Sequence, residues 1–200
     1  MKKLFTIGYS SYDIATFISV LNQNKIEAIV DVRSSPSSKY KPEYNSEALK
    51  KTLNNVNIAY VFLGEECGAR SKDESCYIDG RVDYELISRT ALFKRGIERI
   101  INGLEKYNIA LMCAEIDPIT CHRNILICRS LKEYKMEIFH ILGRGIVESN
   151  TVAELRLLKK FNLDIADFFW EIDERLETVY KKQGSEIAYR KEQGEGEEHD

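Results

Sequence analysis

Short apolar runs alternating with helically spaced stretches constrain this chain more than any other feature. The runs lie at 4–8, 27–32, 58–63, 109–113 and 136–142, each of strand length. Ile14, Phe17, Ile18 and Leu21 follow the first run at helical spacing, with Ser10 or Ser11 placed to cap them. Leu49 and Leu53, in a short helix opening at Ser46, precede the third. Phe93, Ile97, Ile100, Ile101 and Leu104 mark a helix over 92–107, and a further helix is predicted over 119–131. The order β-α-β-α-β-α-β-α-β calls for an α/β fold: a mostly parallel central sheet of about five strands with helices on both faces, plus C-terminal helices. The run 27–32 is unbroken, as in a strand buried on both sides. The polar stretch from Gly64 to about Asp83 reads as one long loop.

A chain of 200 residues is long enough for one core. The expected layout is a single α/β domain over 1–189: a core of about 3–145, a helical arm of about 150–182, and an acidic disordered tail at 190–200. The arm is marked by Val152, Leu155, Leu158, Ile165, Phe168, Phe169, Ile172, Leu176 and Val179. Apolar residues make up 44% and charged residues 30%, which excludes a disordered chain. The net charge of −3 argues against a general affinity for nucleic acid or anionic lipid. No run approaches the roughly 20 apolar residues of a membrane span, and residues 4–7 are too short for the apolar part of a secretory leader. Five cysteines, an odd number, fit reduced thiols and a cytoplasmic setting.

Open α/β sheets bind ligands at the carboxyl ends of their strands. Here those ends are 8–11, 31–36, 63–70 and 113–123, and the last is richest in chemistry. Pro118 suits a helix entry, so Cys121, His122 and Arg123 are predicted in a first helical turn whose free N–H groups welcome an anion. Arg123 adds a planar fork of donors. Cys121 is the candidate nucleophile or redox thiol, its pKa lowered by that setting. His122 or Glu115 is the candidate proton carrier. Arg33 is a second anion contact that Asp31 would fix, and Cys113, Tyr9 and Arg70 are placed to line the same pocket. Plainer roles fit the same residues: Cys113 and Cys128 as core, Arg33 in a surface ion pair, Arg123 in capping contacts, the tyrosines as half-buried packing. Cys67, Cys76, Cys113, Cys121 and His122 supply enough soft ligands for one zinc, but no two cysteines form a C-x-x-C pair, so the usual spacing is missing and neither a metal nor a cofactor is predicted.

Three functions follow. The first is an enzyme or binder of a small anionic, phosphate- or nucleotide-like ligand. The second is a nucleic-acid repair or modification module using Lys39, Tyr40, Lys41, Arg70 and Arg81, disfavoured by the acidic balance. The third is a non-catalytic interaction protein, with Phe168, Phe169, Trp170 and Ile172 as a homodimer face, against the plainer reading that they dock on the sheet layer.

Taken together, Thr6 to Ser10, Asp31-Val32-Arg33 with Pro36, Leu63-Gly64 with Gly68-Ala69-Arg70, Tyr84-Glu85, Cys113-Ala114-Glu115 with Asp117-Pro118, and Cys121-His122-Arg123 resemble the domain of unknown function 488 family. The segment from His140 to Leu142 and the positions Gln183, Glu186, Ile187, Ala188 and Tyr189 extend the resemblance, which runs from about Leu4 to Tyr189. It implies an α/β fold and supplies no established activity. It singles out Arg33, Cys113, Glu115, Cys121, His122 and Arg123 as signature polar positions. Cys67 stands where the family pattern has an aliphatic residue, and Gly143-Arg144-Gly145 where Asp-Gly is more usual.

Overall fold

The computed structural model of the chain describes residues 2–164 and 171–191. Its strands are β1 (Lys3–Gly8), β2 (Ala28–Asp31), β3 (Ala59–Phe62), β4 (Tyr77–Ile78), β5 (Arg81–Val82), β6 (Ile109–Cys113), β7 (Glu137–Ile141) and β8 (Val147–Ser149). Six of them form one sheet in the order β3-β2-β6-β1-β7-β8. All neighbours are parallel except β8, which runs antiparallel on β7.

Alternation along the strands feeds two cores. Leu4, Ala28, Val30, Ile109, Leu111 and Ile138 point to one face, while Ile7, Ile29, Ala110, Met112 and Ile141 point to the other. The second face is covered by α1 (Ile14–Gln23) and α2 (Ser46–Asn54) through Phe17, Leu21, Leu49 and Leu53. After α3 (Gly64–Cys67) and α4 (Tyr84–Arg89), the first face is covered by α5 (Ala91–Gly103), a π-helix (Arg123–Cys128) that runs into α6 (Arg129–Leu131), α7 (Asn150–Lys160) and α8 (Ile172–Ile187). Leu157, Leu158, Val179 and Tyr180 lie in that same core, so the C-terminal helices belong to the sheet layer.

Local structure departs from the sequence reading in four places. Asp13, not Ser10 or Ser11, caps α1, accepting from Thr16 N at 2.7 Å. The N–H groups of Tyr9 and Ser10 still bond to the carbonyls of Cys113 and Ala114, so the chain cannot coil until after Tyr12. The stretch 64–83 is not one loop, because it holds α3 and the β4–β5 hairpin. The helix expected over 119–131 is broken: Pro118–Thr120 form a 3₁₀ turn, and Cys121 is extended at φ −132, ψ 139. Residues 190 and 191 are ordered, with Lys191 N donating to the Gly80 carbonyl and Val82 N to that of Tyr189. Phe168, Phe169 and Trp170 lie outside the described residues, as do 192–200. Among the described residues no helix is long and apolar enough to cross a membrane.

Candidate functional site

β1 and β6 are neighbours whose onward connections leave to opposite faces, α1 to one and the π-helix to the other. A crevice opens at the carboxyl ends of strands at such a switch point. A cleft of about 350 Å³ lies there, walled by Tyr9, Arg33, Arg70, Cys113, Glu115 and His122. Ser34, Ser35 and Ser37 complete its rim.

Arg33, at the end of β2, is only 5% exposed. Its Nε and Nη2 donate to the two carboxylate oxygens of Asp31 at 2.9 and 2.6 Å, and Nη2 also donates to the Tyr44 carbonyl at 2.8 Å. The Tyr60 hydroxyl donates to Asp31 at 2.8 Å, so the carboxylate is held from two sides. Burial would lower the pKa of Arg33, but Asp31 outweighs it and keeps the guanidinium charged. Nη1 is buried with no hydrogen-bond partner of good geometry among the described residues, and the Tyr9 side chain adds to the support of the guanidinium charge. The Tyr9 ring lies 5.0 Å from the guanidinium carbon. Arg70 is exposed, stacks 4.5 Å over the ring of Tyr189, and is paired with no carboxylate among the described residues.

Under the cleft sit two thiols and an imidazole. His122 Nε2 is 2.9 Å from the Val32 carbonyl, which can only accept, so Nε2 carries the proton. Nδ1 therefore faces Cys113 Sγ at 3.7 Å and Cys121 Sγ at 3.9 Å. Cys121 Sγ lies 2.9 Å from Glu115 Oε2. Burial alone would raise the pKa of Cys121; the Cys113 thiol, Arg123 and His122 outweigh it and favour the thiolate. Its hydrogen bond with Cys121, and burial, push Cys113 up. Desolvation and the charge on Cys121 raise Glu115, so the short contact between them shares one proton. His122 is raised as well: burial lowers it, and the Cys121 sulfur reverses that.

Arg123 is brought near these groups but not onto the cleft wall. It is 0% exposed, and its Nε, Nη1 and Nη2 donate to Thr6 Oγ1 and to the carbonyls of Glu115 and Ile116. It makes no salt bridge among the described residues, so the Cys121 thiolate is its natural counter-charge. The helix N-terminus expected to hold an anion is not formed. The Cys121 amide donates to the Pro118 carbonyl at 3.2 Å, because the 3₁₀ turn closes before the π-helix begins. Cys121 itself is 1% exposed and lies behind the cleft wall formed by Cys113 and His122.

The model of a family described as a domain of unknown function, DUF488, matches residues 13–129. The chain belongs to the DUF488 family. No curated protein and no solved structure matches it. The matched span of this DUF488 chain holds Asp31, Arg33, Arg70, Cys113, Glu115, Cys121, His122 and Arg123, while Tyr9, His140 and Gln183 to Tyr189 fall outside it.

Several residues around the cleft were given no role by the sequence. Ser34, Ser35 and Ser37 directly follow Arg33, and a serine-rich turn after a strand is a readable signal for an anion site. Thr6, which supports Arg123, and Tyr189, under Arg70, gave no such signal. Spacing also set aside a cluster that the fold brings together: Cys113, Cys121 and His122 have ligating atoms all within 4.8 Å of one another, although no C-x-x-C pair exists. Of the basic groups assigned to a nucleic-acid surface, Lys41 donates to the Tyr12 carbonyl and Arg81 to that of Ser185.

Proposed function

We propose that this protein binds a small anionic ligand of phosphate or nucleotide type in the cleft, with Glu115 placed to move a proton on it. The reading rests on Arg33. A cleft-lining guanidinium fixed by a buried carboxylate, with one buried Nη unpartnered, can take an oxygen that arrives with a ligand once a small side-chain shift opens that atom to the cleft. An unsatisfied buried donor costs about 1–3 kcal/mol, which a ligand oxygen would recover. Arg70 supplies the net charge that the Asp31–Arg33 pair lacks, and the three serines offer hydroxyl donors. Across Ser34 and Arg70 the cleft adjoins a second hollow of about 590 Å³ with Pro36, Phe62 and Leu92 in its walls. That apolar extension favours a nucleotide-like body over a bare phosphate. Glu115, on the cleft wall and with its carboxyl raised by burial and by the neighbouring Cys121, can exchange a proton with a bound ligand.

Thermal-shift and calorimetric titrations with inorganic phosphate, pyrophosphate and nucleoside mono- and diphosphates test this. The nucleotides are expected to raise Tm in a concentration-dependent way. Arg70→Gln should weaken their binding about tenfold, the effect of losing one charge-assisted contact, while the unliganded Tm falls only by the small amount its stacking on Tyr189 contributes. Binding of none of these anions, or unchanged affinity in Arg70→Gln, would remove the proposal.

A further inference from the structure

We propose that Cys113, Cys121 and His122 hold a zinc ion beneath the cleft, with the fourth coordination position turned toward Glu115. Two thiolates and an imidazole are a soft donor set that suits zinc and not magnesium or calcium. In a tetrahedral zinc site the edge between a sulfur and a nitrogen ligand is about 3.6 Å. His122 Nδ1 lies 3.7 and 3.9 Å from the two sulfurs. The imidazole is also oriented as a ligand would be: Nε2–H is anchored on the Val32 carbonyl, which leaves the Nδ1 lone pair for the ion.

The donors sit on fixed backbone. Cys113 ends β6, and its carbonyl accepts from Tyr9 N at 3.0 Å. Cys121 is tied by its amide to Pro118. Cys67, Cys76 and Cys128 are equally buried, yet none of them belongs to such a group among the described residues. Cys113 and His122 line the cleft, which gives the ion a route in, and Glu115 Oε2 stands 2.9 Å from Cys121 Sγ, beside the position left over. Two thiolates balance the dication, which leaves the neighbouring Arg123 charge to its hydrogen bonds with Thr6 and the carbonyls of Glu115 and Ile116, and binding releases the thiol protons to solvent.

The inference stands apart from the anion reading, because the metal is measured with no anion ligand present. Full-length protein, reduced with a phosphine and stripped with a chelator, is titrated with cobalt(II) and then zinc. One cobalt per chain is expected, with sulfur-to-metal charge-transfer bands and tetrahedral d–d bands that one equivalent of zinc bleaches. Cys113→Ser and Cys121→Ser should each lower zinc affinity at least about 100-fold, beyond the usual effect of losing a supporting partner. Cys67→Ser and Cys128→Ser should leave it unchanged. Absence of the bands in the reduced wild-type chain, a titration that needs no variant to fold, overturns the proposal. So does their persistence in the folded Cys113→Ser/Cys121→Ser double variant.

Discussion

His140 is buried between two polar partners, with Nδ1 2.8 Å from Thr6 Oγ1 and Nε2 3.0 Å from Asn150 Oδ1. Thr6 Oγ1 also accepts from Arg123 Nε, so its own proton goes to His140, and the ring stays neutral with Nε2–H donating to Asn150. Burial, with the nearby charges of Arg123 and Arg156, outweighs the Asn150 hydrogen bond and holds the pKa of His140 down to about 4, against an ordinary 6.5. Its contribution to stability is present above pH 6.5 and is lost as pH falls toward 4, because the unfolded chain takes up the proton first. The loss amounts to about 3 kcal/mol. Urea unfolding at pH 7, 5.5 and 4 should show His140→Gln with a flatter dependence than wild type; parallel curves would contradict the assignment. At this scale the sequence was partly legible. The Asp31–Arg33 pair could be read because its partners are two residues apart in one strand end. Arg123 could not, since Thr6 lies 117 positions away and the sheet order alone decides that they meet.

Elements divide by how much they bury. The five long runs were recognisable because each feeds buried residues into a core, whereas β4, β5 and β8 are two or three residues long and leave no period to read. The π-helix has the apolar composition of an α-helix, and nothing in the order of Arg123 to Cys128 announces its wider turn. That wider turn follows the extended residue at Cys121, which carries the sulfur to Glu115 and His122. The junction of β1 with the 113–116 turn is the tightest element contact at the site: a Cβ on Gly8 would stand 1.7 Å from the Glu115 carbonyl oxygen, a backbone atom with nowhere to go. Gly8→Ala should therefore cost about 3 kcal/mol, the upper part of the range for overpacking, read as a lowered urea midpoint with unchanged slope. A Gly8→Ala protein as stable as wild type would mean that the strand ends at the cleft are farther apart than described.

Across the whole molecule, residues 189–191 return to the side of the cleft that carries Arg70. Residues 189–191 pair with the β4–β5 hairpin, and the Tyr189 ring underlies Arg70. Tyr189→Ala should therefore weaken nucleotide binding severalfold, since Arg70 loses a cation–π contact of about 0.5–1 kcal/mol that restricts it. Equal affinities in calorimetry would show that Arg70 needs no such support. The strand order that makes this closure was not legible, because alternating strands and helices are compatible with several parallel orders. The α/β class and the two-faced burial of the sheet were. The most direct measurement is a crystal structure of the protein grown with pyrophosphate. An anion is expected in the cleft within hydrogen-bond distance of the Arg33 and Arg70 guanidinium groups. An anion bound elsewhere, or a well-ordered cleft without one at saturating pyrophosphate, would contradict it.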